Sequence, residues 1–461
     1  MNLIDAISTN TLVDSPVALS GIPVFNRQYG SLHDAVDNFL VPKSPDTAQQ
    51  ERIEHQQERI RIVSRYYPAP ESRPFFLFGI DTTGCPRPYA NTLGDRGIHY
   101  HPNPAPGNKP VAVGHAFSVV VGLPEKKEKN SPPWVIPLLI RRVSTDKKAI
   151  DVGAEQLSQI MNDQTLPFAG TLSVLSGDST YSAREFLIAV VKNSNLVCIT
   201  RARGNRTFYE KLPLLQSDYP KRRGHPTWYG KAFNMKAPLT WGNPDASEIV
   251  STTFRNGRDC KVIIEAWHDM LMRDKRNAAM HEHPFTLLRI TIKDSNENLV
   301  FKKALWLIII GKRNREISLS EAYYAYRQRY DIEHFFRFGK NKLLMDAYQT
   351  PDIAHEENWW EIVGLSYTQL YIGAPLVQNH PQPWERYLPS VKEQKPGVLP
   401  SPSMVQRDLS RIIQEIGTPA RLPKPRGKSP GRLKGQSPGK RDHLPIVKKK
   451  VQRSENEERS P

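Results

Sequence analysis

Cysteine is scarce: the 461 residues hold three, Cys85, Cys198 and Cys260, far apart and never in a Cys-x-x-Cys pair. That excludes a disulfide framework and a thiolate zinc site, and it fits a reducing cytosol. Long apolar runs are missing too. No stretch reaches the roughly 18–20 residues of a membrane span, and the longest, residues 304–310 (ALWLIII), is strand-sized. The N-terminus MNLIDAISTNTLVDSP has neither a basic start nor an apolar segment of signal-peptide length, so a cytoplasmic protein with no membrane partner is expected. His281 and His283 are too close in sequence to share a helical face and have no cysteine partner, so they read as a surface turn. Acidic residues are outnumbered, 47 against 64 Lys and Arg, giving a net charge of +17. Residues 421–461 account for +9 of this and leave +8 on the rest, so the body is basic without its tail and favours a polyanionic partner.

The hydrophobic pattern divides the chain. Residues 1–70 read as a helical N-terminal region, with a charged helix near 44–67. Its Arg52, Arg59, Arg61 and Arg65 fit either a solvated face or contacts along DNA phosphates. Residues 71–205 read as strands and helices of a mixed α/β sheet, the first strand being the run RPFFLFGIDTTG, apolar on both alternations and so buried on both faces. This part ends in a basic loop holding Arg203, which is expected to contact DNA. Residues 206–316 carry short strand patterns separated by turns and read as a β-rich insertion. Residues 317–377 return to helix, with one continuous helix expected near 318–345 and a second, apolar one at 355–377. Residues 378–461 are Pro-rich and basic; apart from a short helix at 403–417, disorder is expected there until a polyanion is met.

Three carboxylates stand out by position. Asp81 ends the first buried strand, Asp178 follows a second, and Glu333 lies on the helix after the β-rich segment. Acidic groups just beyond hydrophobic strands project at the sheet edge where open α/β folds place their sites. Converged, the three would repel one another unless cations neutralised them, and hard oxygen donors favour Mg2+ or Mn2+. Each also has a purely structural reading: Asp81 capping a turn, Asp178 capping a helix that begins near Tyr181, and Glu333 paired with Arg329 or Arg337 at helical spacing. Around Glu333 the spacing Y-x2-R-x3-E-x6-K sets Tyr326, Arg329, Glu333 and Lys340. On a continuous helix they fall near about 0°, −60°, −20° and −40°, a single narrow face.

In GIDTT around Asp81, LSGDSTYSA around Asp178 and YRQRYDIEHFFRFGK around Glu333, the sequence resembles the DDE transposases of bacterial insertion sequences, in the group marked by a Tyr-Arg-Glu-Lys signature. The resemblance runs from about residue 73 to 375. It implies a ribonuclease H-like mixed sheet flanked by helices, with a β-rich insertion between the second Asp and the Glu. It further implies two Mg2+ ions on Asp81, Asp178 and Glu333, with Arg329, Lys340 and Tyr326 on the transposon-end strand. Cleavage at the terminal inverted repeats, strand transfer into target DNA, often a hairpin intermediate, and a homodimer in the synaptic complex follow by the same resemblance, as does a bacterial, nucleoid-associated location. Trp228 or Trp241 would stack on a flipped base, or else both are core or turn aromatics. The loop KRRGHP faintly resembles a minor-groove hook, with His225 standing where a second Arg is usual. Residues 1–70 are short for end recognition: either they perform it in compact form or the start is truncated. Two other readings remain open, a non-catalytic DNA-binding relative and a ribonuclease H-like nuclease without strand transfer.

Overall fold

The computed structural model describes residues 1–100, 110–128, 131–212, 228–254, 257–274, 278–378, 383–387, 398–416, 433–436 and 441–448. Three helices open the chain, α1 (Asn2–Ser8), α2 (Gly30–Asp37) and α3 (Ala48–Ser64). Then come β1 (Phe76–Pro86), β2 (Gly97–Tyr100), β3 (Val111–Gly122), β4 (Ile136–Val143), α4 (Ala149–Met161), β5 (Ser173–Gly177), α5 (Arg184–Val191) and β6 (Leu196–Arg201). Strand β3 pairs antiparallel with β1 and β4 antiparallel with β3, while β5 and β6 run parallel to β1, giving the order β4-β3-β1-β5-β6. This is the ribonuclease H-like arrangement of a mixed sheet.

The chain then continues through β7 (Thr207–Lys211), β8 (Tyr229–Asn234), β9 (Ala246–Thr253), β10 (Asp259–Leu271), β11 (Phe285–Asp294) and β12 (Leu305–Ile310). These strands extend the same sheet rather than building a separate one, because β12 pairs antiparallel with β6 and carries β11 and β10 behind it. After β12 follow α6 (Leu319–Gln328), α7 (Tyr330–Lys342), α8 (Ile353–Gly373) and α9 (Pro402–Ile416). Among the described residues, no helix is long and apolar enough to cross a membrane.

Alternation along the strands builds a core on each face of the sheet. Leu77, Val119, Val174 and Val197 pack with residues of α1, α6, α7, α8 and α9 on one face. Phe78, Ile80, Val120, Leu175 and Cys198 pack with α3, α4 and α5 on the other. Helix α8 is buried nearly all round, with Trp359 and Trp360 at zero exposure and Trp360 stacked on Phe117 at 4.0 Å. It is core, as its apolar sequence suggests.

Helix α3 differs from a DNA-contacting reading. Arg59 is buried against Glu361 at 3.7 Å, Arg52 reaches Glu357 at 3.1 Å, and Arg61 pairs with Asp163 at 2.8 Å. Arg65, just past the helix, is exposed to solvent. The charge all round this helix is matched by acids on α8 and the loop after α4, partners too distant in sequence to be seen along the chain. The expected single helix at 318–345 is also two. It tightens at Arg329, where Arg329 N bonds Tyr326 O and Ile332 N bonds Arg329 O, three residues apart instead of four. In the C-terminal region, residues 441–448 run beside the outer edge of β2. Leu444 N donates to Asn91 O at 2.8 Å, Val447 N donates to Arg96 O at 2.8 Å, and Val447 bridges Gly97 in parallel.

Candidate active site

The register of β1 and β5 sets up the site. The strands pair from Phe76–Ser173 to Ile80–Gly177, and there β5 stops. Asp81 and Asp178 are the next residue on each, so two adjacent parallel strands end their pairing on neighbouring carboxylates. Leu77, Gly79 and Asp81 share the face of β1 that α7 covers. Gly79 permits that closeness: a Cβ there would run into Ile332 Cδ1 and would lie 3.1 Å from Ile332 Cγ1. Ile332 is the residue before Glu333, so the contact that seats α7 also delivers Glu333. On the opposite face, Thr82 Oγ1 and Tyr181 Oη share a hydrogen bond of 2.9 Å, fixing the turn after Asp178 against β1.

Arg329 joins the parts. Its Nη1 donates to Asp81 Oδ2 at 3.2 Å and its Nη2 to Glu333 Oε1 at 3.1 Å. The guanidinium is buried against the rings of Tyr326 and Tyr330, whose centroids lie at 5.7 and 5.2 Å. Asp81 accepts from Thr82 N at 2.8 Å, and Asp178 accepts from Thr180 N at 2.8 Å and Thr180 Oγ1 at 3.2 Å. Burial raises the Asp81 pKa to about 6; Arg329 and the Thr82 amide pull it down, while Asp178 and Glu333 push it up. Asp81 therefore senses both other carboxylates, and the Arg329 guanidinium does not offset burial and repulsion there.

Whether these groups suit a metal follows from the donor set. Three carboxylates without thiolate or imidazole suit a hard, oxygen-preferring divalent cation in kind, and the residual repulsion at Asp81 is what such a cation would relieve. Among the described residues, however, no three acidic, imidazole or thiol groups converge closely enough to hold a metal as they stand. Arg329 takes the place between Asp81 and Glu333.

The other residues singled out in the sequence are scattered. Tyr326 is 5 % exposed and supports Arg329 from beneath, with one edge on a basic groove. Lys340 turns inward: its Nζ donates to Gly84 O at 2.6 Å and lies 3.9 Å from Asp346, and burial pushes its pKa below the usual lysine value. Trp228 is half exposed and stacks on His281 at 4.6 Å, and His281 bonds Asp274 at 2.6 Å. Trp241 is partly buried and packs against Phe233, Trp267 and Trp306 at the edge of the core. Arg203 is exposed in the loop after β6. The KRRGHP motif lies outside the described residues. Asp178 caps its own turn and not a helix, since α5 begins only at Arg184 with Ala183 before it. The i, i+4 pairing of Glu333 with Arg329 is present, with Asp81 as a second carboxylate on the same guanidinium.

The groove, of about 1480 Å³, reaches Arg329 from the side of α6 and β9–β12. It is lined by eight Lys and Arg side chains against four acidic ones, Arg201, Lys302, Lys303 and Arg327 among the cations. Phe301, Tyr324 and Tyr330, which are 58 %, 43 % and 55 % exposed, place aromatic faces among those charges. These residues lie on separate elements, so nothing local in the sequence groups them; aromatics beside basic pairs, as in FKK at 301–303, are the one local signal.

Comparison with protein families gives one finding. The family described as DDE superfamily endonuclease matches residues 3–273, more than half of the chain, taking in Asp81 and Asp178 and ending before Glu333. No curated protein matches the sequence.

Proposed function

The chain belongs to the DDE superfamily endonucleases, and from that premise we propose that it is a transposase, cutting DNA at the terminal inverted repeats of a mobile element and joining the freed ends to target DNA. The observation that carries this reading is the pair Asp81 and Asp178 at the ends of adjacent parallel strands, with Glu333 tied to Asp81 through Arg329. Asp81, Asp178 and Glu333 would hold Mg2+, or Mn2+ in its place, two ions being the expected number. Bound there, the metal would supply Lewis-acid activation of a water or 3′-hydroxyl and neutralise charge at the leaving oxygen.

The chain's own residues do the remaining work. Arg329 keeps the carboxylates together by offsetting part of their repulsion. Asp81, with its pKa raised to about 6, holds a proton for part of the time near neutral pH and releases it when further positive charge arrives. The basic, aromatic-lined groove offers phosphate contacts and stacking faces for a strand laid toward Arg329. Synapsis of two ends calls for a homodimer.

The test is a Mg2+-dependent assay on DNA carrying the element's inverted repeats. Wild type is expected to nick the end and join it to target, and Glu333→Gln to lose both activities with DNA binding retained. Cleavage that survives Glu333→Gln refutes the site. Cleavage without joining refutes strand transfer and favours a nuclease.

A further inference from the structure

A second basic feature lies away from the groove, in the turn that leaves Asp178. Strand β5 ends at Gly177, residues 178–183 turn, and α5 begins at Arg184. The loop after β6 folds back on this turn: Arg206 Nη1 donates to Ser182 O at 2.8 Å, and β7 starts at the next residue. Between them lies a pocket of about 280 Å³, with Arg184, Arg206, Glu185 and Thr207 at its polar rim and Phe208 and Met272 as its floor. It has room for a phosphodiester with its ester carbons.

The pocket is electrostatically unbalanced. Among the described residues, no ion pair involves Arg184, Arg203 or Arg206, whereas Arg52, Arg59, Arg87, Arg142 and Arg329 each have a carboxylate. The Nε–H of Arg184 is shut off from solvent and has no hydrogen-bond partner among those residues. Such a donor costs stability unless something accepts from it. Burial lowers the Arg206 pKa, and the neighbouring Arg184 and Arg203 charges lower it further. The residue before the helix is Ala183, which has no side-chain acceptor for the first-turn amides, so α5 presents the positive end of its dipole uncapped.

We infer that this pocket is a phosphate site, in which Arg184 and Arg206 grip one backbone phosphate of the DNA strand on the Asp178 side of the candidate active site, with exposed Arg203 adding charge from the same loop. This deepens the DNA-cutting reading and rests on it. Five residues separate Asp178 from the first residue of α5, so a phosphate held here fixes the strand within a short span of the carboxylates. Positioning of this kind converts binding at one phosphate into orientation at another.

The test uses Arg184→Gln and Arg203→Gln together, leaving Arg206 because its bond to Ser182 shapes the turn. Binding of a short DNA duplex is followed by fluorescence anisotropy in EDTA across a salt series, so that catalysis plays no part. The double variant is expected to unfold at or above the wild-type midpoint, since it loses the unpartnered donor and two of three like charges, and to bind about tenfold more weakly at low salt. Its plot of log K against log salt is expected to be shallower by about 0.9 for each phosphate it no longer neutralises. Lysine at both positions is expected to restore the slope. A scan with single methylphosphonate linkages is expected to find one position that weakens wild type and leaves the double variant indifferent. An unchanged slope, or no such position, overturns the inference. Stabilisation of wild type by inorganic phosphate, alongside an unchanged DNA slope, overturns it as well, since it assigns the pocket to a free anion. An arginine-dependent slope in a protein that fails to cut DNA with Mg2+ upholds this site and refutes the catalytic reading instead.

Discussion

Replacing Asp81 with Asn is expected to stabilise the metal-free protein at pH 8 and to leave it unchanged near pH 4. The reason is the cost of holding a buried charge beside two others. In the folded state Asp81 titrates near 6, against 3.8 for the free side chain. Between those values the folded chain binds more protons than the unfolded one, so stability falls as pH rises from about 4 to about 6 and stays low above that. At 1.36 kcal/mol per unit, the deficit at pH 8 amounts to about 3 kcal/mol. The side chain is only a fifth exposed, so solvent screening removes little of it. Asn keeps one of the two carboxylate oxygens, so it can accept from Thr82 N or from Arg329 Nη1 but not from both, which takes back about 1 kcal/mol of the gain, and it carries no charge for Asp178 or Glu333 to repel.

The assay is urea unfolding of both proteins in EDTA at pH 8 and near pH 4, comparing midpoints and slopes. Differences between the two proteins cancel the titrating groups that do not interact with Asp81. Adding Mg2+ at about ten times its dissociation constant should then stabilise wild type by about 1.4 kcal/mol and Asp81→Asn by much less, if the carboxylates are its ligands. An Asp81→Asn protein as stable as wild type or less stable at pH 8 refutes the claim that the site is electrostatically strained.

Gly79→Ala should cost about 1–3 kcal/mol by pushing Ile332 off β1, and should lower cleavage more than DNA binding; adding Ile332→Val, which removes the clashing Cδ1, should recover part of both, as measured by unfolding and cleavage assays. Glu361, whose pKa is held down to about 2 chiefly by Arg59 against the penalty of burial, contributes stability that is present above pH 4.5 and lost as pH falls through the folded value. Its replacement by Ala strands Arg59 and should cost about 3–5 kcal/mol in a denaturant titration at pH 7. Hydrogen exchange should find the Leu444 and Val447 amides protected, and Leu444→Asp should release both while exposing the β2 edge. Equal exchange in the two proteins would mean that residues 441–448 do not lie along β2 in solution.

The two aspartates were legible because each follows a run of residues buried on both faces, and a strand's burial pattern is written locally. Glu333 was legible through spacing alone, and that spacing assumed a continuous helix. Nothing in EAYYAYRQRYDIEHFF announces a break, since its residues include no Gly or Pro and the tightening at Arg329 accompanies a guanidinium reaching across to Asp81, 248 positions earlier. The same limit hid the role of α3. Its arginines look like surface charge until Glu361 arrives from α8, some 300 residues later, and buries against Arg59. Strand β2 is four residues long, and its hydrogen-bonding edges are supplied by β3 and by the segment near Val447. Hydrophobic periodicity reports what a segment does with its own neighbours. Charge compensation, which decides whether an arginine faces a carboxylate or waits for a phosphate, depends on the whole chain. That is why Arg52 and Arg59 are spoken for while Arg184 and Arg206, no more basic in sequence, have no ion pair among the described residues and share their pocket with one carboxylate, Glu185.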